Sequence, residues 1–68
     1  MIPFPKLFDH YIQMQKLQAV GGLRKELTPE ICVYMYIMHY EPEYNHLEAI
    51  ALAAKVKRQV KQYNQIPF

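Results

Sequence analysis

Thr28-Pro29-Glu30-Ile31-Cys32-Val33-Tyr34-Met35-Tyr36-Ile37-Met38-His39-Tyr40-Glu41-Pro42 is the stretch that decides the fold. From Ile31 to Tyr40 it carries no carboxylate, lysine or arginine, and His39 is its only strongly polar side chain. The residues before that run read as a helix start: a hydroxyl N-cap at Thr28, proline at the first helical position, and an acid in the first turn. Pro42 has no N–H to donate and restricts Glu41, so the helix ends near Tyr40. Ile, Val and Tyr are also strand-prone, and periodicity cannot separate a short buried helix from a buried strand. The cap and the length of the run favour the helix. A helix apolar on nearly every face is expected to be covered on nearly every face.

Upstream, Met1-Ile2-Pro3-Phe4 reads as extended, because residues before proline avoid the helical region. Pro5 suits the first position of a helix, and Phe4, Leu7, Phe8, Tyr11, Ile12, Met14 and Leu17 recur at intervals of three and four. Lys6, Asp9, Gln13 and Lys16 fall on the opposite side. This amphipathic helix closes near Val20, where Gly21-Gly22 supplies a left-handed termination. Leu23 to Leu27 form a polar connector with one or two apolar anchors.

Downstream, Glu41-Pro42-Glu43-Tyr44 is a tight acidic turn, and Asn45 with Glu48 three residues on is a variant capping box. The third helix then runs to about Tyr63. Ala49, Leu52, Ala53, Val56, Val60 and Tyr63 make its apolar stripe, widened at the start by Leu47, Ile50 and Ala54. The alanines let a neighbouring backbone come close. Lys55, Lys57, Arg58 and Lys61 crowd the second half, where they complement the negative end of the helix dipole. The expected fold is therefore all-α: one domain over residues 1–68, with helices at about 5–20, 29–40 and 45–63 and extended, proline-containing termini.

The chain has 68 residues, half of them hydrophobic, with six Tyr, three Phe, four Met and a single cysteine. A domain of this length buries only about 60% of the surface its unfolded chain exposes. It can hardly hide that many large apolar groups, so some are expected to meet another protein, either a second copy or a different chain. One cysteine allows no internal disulfide and disfavours a cysteine-rich zinc site, and Cys32 reads as a small inert core residue. No signal-peptide pattern opens the sequence, and ten apolar residues are too few for a bilayer, which needs about twenty. The expectation is a soluble protein of a reducing, cytoplasmic compartment that does not engage membranes.

Chemistry is hard to find. The sequence contains no serine, no glycine-rich phosphate loop and no nucleophile elbow. Cys32 and His39 would lie two turns apart on one helix, roughly 10 Å, too far for a nucleophile–base hydrogen bond. His10, His39 and His46 with Glu41, Glu43 and Glu48 match no zinc spacing. The expectation is no enzyme, no metal and no cofactor. Three helices with a compact turn before the third do leave a helix-turn-helix nucleic-acid binder as an alternative, with phosphate contacts from Lys55, Lys57, Arg58 and Lys61. Against it, the reading edge would be Asn45, His46, Leu47 and Glu48, followed by alanines, and a net charge of +2 is slight.

Protein binding is the favoured function. Tyrosine serves interfaces because its ring gives large area while its hydroxyl stays wet. Tyr34, Met38 and Tyr40 are the expected interface anchors on the central helix. Ile2-Pro3-Phe4 and Ile66-Pro67-Phe68 repeat a tripeptide at the two ends, which makes Phe4 and Phe68 either caps over the core or hooks into a neighbour.

Residues 28 to 58 resemble the C-terminal part of tail assembly chaperones of long-tailed bacteriophages. In that family a helix carrying an aromatic and a methionine ends in a Glu-Pro pair and an alanine-rich helix follows. Glu30, Tyr34, Met35, Glu41 and Pro42 stand in the matching places, with Ala49 to Ala54 as the continuation. The chain departs from the pattern at Tyr34, where tryptophan is common, and lacks the glycine usually found after Glu-Pro. The resemblance implies a non-enzymatic helper that coats a tape-measure protein and recruits tail-tube subunits, in the host cytoplasm or the virion.

Overall fold

A computed structural model of the chain describes residues 2–64, and its architecture is all-α. Helix α1 spans Phe4–Ala19, α2 Pro29–Tyr40 and α3 His46–Asn64. Phe68 and the rest of the second tripeptide lie outside the described residues.

Each helix boundary has a local cause. Pro3 is the N-cap of α1, with φ −62° and ψ 140°, and its carbonyl accepts from the Lys6 N–H at 3.0 Å. The helix thus begins at Phe4, one residue before Pro5 and inside the stretch expected to be extended. The restriction falls on Ile2 and Phe4, the residues before the two prolines, and at Phe4 it is a bias that the first helical turn overrides. At the other end Gly21 has φ +78°. Its N–H donates to the Gln18 carbonyl at 3.0 Å, and the Gly22 N–H donates to the Leu17 carbonyl at 2.8 Å. This pair of bonds is a Schellman closure. A Cβ on Gly22 would stand 2.5 Å from Cδ1 of Leu17, so that partly exposed side chain would have to shift.

Helix α2 starts and stops as expected. The Thr28 hydroxyl accepts from the Ile31 N–H at 3.2 Å, and Pro29 occupies the first turn, where a missing donor costs nothing. Glu41 ends the helix, its N–H donating to the Ile37 carbonyl at 2.8 Å. For α3, Asn45 Oδ1 accepts from the N–H groups of Leu47 at 2.8 Å and Glu48 at 3.4 Å. Asn45 is therefore the cap, and the helical residues begin at His46.

All three helices pack on one another. Phe4 and Phe8 of α1 meet Lys55 and Tyr63 of α3 respectively, so these two helices run in the same direction. Glu30 and Tyr34 of α2 meet Lys57 and His46, which makes α2 antiparallel to both. The shared core is Leu7 and Tyr11 from α1, Val33 and Ile37 from α2, and Ala49, Ala53, Val56 and Val60 from α3. The fully buried alanines of α3 admit the neighbouring backbones closely, as their spacing implied. Phe4, Phe8, Ile12, Met38, Tyr44 and Leu52 seal the edges.

Two expectations about burial are corrected. Helix α2 is not covered on nearly every face: only Pro29, Val33 and Ile37 are buried, and Ile31, Met35 and Tyr40 face outward. A bundle of three gives each helix two neighbours, which cover about half its circumference. Likewise Leu47 and Ile50 do not widen the core stripe of α3. At about 100° per residue they lie roughly 160° and 100° round the helix from Ala49, on the side facing water beside α2. Tyr63 is exposed as well, its ring edge on Phe8 at 5.8 Å. Among the described residues no helix is long and apolar enough to cross a membrane.

Candidate functional site

The seam between α2 and α3 carries the most coherent surface of the molecule. At one end the Lys57 ammonium pairs with the Glu30 carboxylate at 3.4 Å. At the other end the Tyr34 hydroxyl hydrogen-bonds to Nδ1 of His46, tying the two helices across their outer edge. Between these two links lies a cleft of about 280 Å³ lined by Thr28, Glu30, Ile31, Tyr34, Ile50 and Ala53.

The cleft is bordered by apolar side chains that the bundle leaves in water. Ile31 is 41% exposed, Met35 53%, Ile50 51% and Leu47 76%. They are continuous: Ile31 and Met35 are one helical turn apart, Ile31 and Ile50 share the cleft, and Leu47 lies one turn before Ile50. Scattered exposed leucines are ordinary on a protein surface, whereas apolar side chains gathered round a cleft make a candidate contact site. Glu30, in the cleft wall, is paired with Lys57, whereas Met35 faces Arg24, Lys25 and Glu26 of the connector across a separate hollow.

The residues expected to act as interface anchors are dispersed. Tyr34 is half-buried in the wall of this cleft. Met38 packs partly against the core. Tyr40 is 61% exposed, but on another side, where its ring neighbours Tyr36 at 4.7 Å and His39 at 4.9 Å. Phe4 lies against its own core under Lys55, whose ammonium is 5.8 Å from the ring centroid. Sequence reasoning missed Ile31, Leu47 and Ile50 as surface residues. Met35 was noticed only through the phage-chaperone resemblance. Of that motif, Glu30 and Tyr34 line the seam, Met35 faces connector residues 24–27, and Glu41 and Pro42 lie in the turn before α3.

The four cations weighed for nucleic acid do not form one surface. Lys55 reaches back over Phe4 of α1 and Lys57 reaches the opposite way to Glu30 of α2, leaving Arg58 and Lys61 between. The leading turn of α3, which would enter a groove, shows Leu47 and Ile50 to water.

The titratable groups with displaced pKa values sit elsewhere. Burial lowers the His10 pKa, opposed in part by a hydrogen bond with the Cys32 backbone. The His10 ring lies on that of Tyr36 at 4.5 Å. Burial also raises the Cys32 thiol pKa, which favours the protonated form. Among the described residues no three His, Cys, Asp or Glu side chains gather closely enough to hold a metal ion.

By fold the protein is a small three-helix bundle with an apolar seam on one side. Comparison with protein-family models, with curated proteins and with solved structures found no match.

Proposed function

We propose that the chain is a non-enzymatic protein-interaction module whose working surface is the α2–α3 face formed by Ile31, Met35, Leu47 and Ile50. The observation that carries this reading is that Ile31 and Ile50, both largely exposed, share the wall of a formed cleft, with Met35 and Leu47 one helical turn from them. Covering Ile31 and Ile50 removes apolar surface from water, and Glu30 in the same wall already has Lys57 as its partner. The likeness of residues 28 to 58 to phage tail assembly chaperones extends the proposal to a helper in the building of a larger particle.

The test places a photoreactive residue at position 50 and, separately, at Lys16, which is exposed on α1. Protein adducts formed from position 50 and not from position 16 support the reading. Adducts from neither position, or equally from both, refute it.

A further inference from the structure

We draw no further inference here: the strongest candidate, the apolar cleft between α2 and α3 with Ile31 and Ile50 in its wall, carries none beyond the reading already given, because nothing in the structure shows what covers it.

Discussion

Ile37 and Ile50 offer the same substitution in two surroundings, and comparing them separates the core from the open face. Ile37 is 1% exposed between α1 and α3, whereas Ile50 is 51% exposed. Ile37→Ala removes buried methylene and methyl groups and leaves a cavity, at a cost of about 3 kcal/mol within the usual range of roughly 2–5. Ile50→Ala loses the burial of only half a side chain, about 1 kcal/mol. A chain of this length is held by roughly 3–10 kcal/mol in all, so the first change consumes much of its stability and the second does not. Urea denaturation followed by circular dichroism reads the difference. With a slope of about 1 kcal/mol per molar, Ile37→Ala should lower the midpoint by about 3 M and Ile50→Ala by about 1 M or less. The measurement belongs at high dilution, because association would add its own stabilisation to the wild type. Equal losses of midpoint in dilute solution would refute the assignment of Ile50 to an open face.

Three further outcomes are expected. Thr28→Ala removes the hydroxyl that caps α2 and should cost about 1 kcal/mol in urea denaturation, with Thr28→Ser largely preserving stability. Gly21→Ala forces a side chain into φ +78° and should cost about 1–2 kcal/mol by the same assay, although nothing lies within 4 Å of the added carbon. Burial holds the His10 pKa below the ordinary value of 6.5, so the unfolded chain takes up the proton first. Its contribution to stability is complete above about pH 6.5 and declines as pH falls towards the lowered value. His10→Gln should flatten that part of a thermal-melting profile, and a slope unchanged in the variant would assign it to other groups.

What the sequence made legible was the ends of the helices. Thr28-Pro29 and Pro42 bracket α2, Asn45 caps α3, and Gly21-Gly22 closes α1, because each acts through its own backbone and immediate neighbours. The core stripe of α3 was legible for a related reason: Ala49, Ala53, Val56 and Val60 share one angular position whatever they pack on. Which apolar residues stay outside was not legible. Around α2 hydrophobicity is almost uniform, so periodicity cannot choose between Val33 and Ile31, and the choice falls to where α1 and α3 happen to lie. Leu47 and Ile50 were misplaced for the same reason, since a broad apolar stripe has no visible edge. The Tyr34–His46 and Glu30–Lys57 links join residues separated by a turn and several helical repeats, and local sequence carries no trace of such pairings.

Among the described residues the core buries no polar or charged side chain. That has a consequence on the timescale of descent. A buried hydrogen-bonded pair ties two positions together, because losing one member strands the other. Here no position is tied in that way, and exchanges among Ala, Val, Ile and Leu that keep the volume cost little. An aliphatic core residue can therefore be exchanged for one of like volume without a matching polar change elsewhere. The helix ends do not share this freedom, since their glycines, prolines and caps answer to the backbone. Over generations such a bundle would keep its punctuation while its interior spelling drifts.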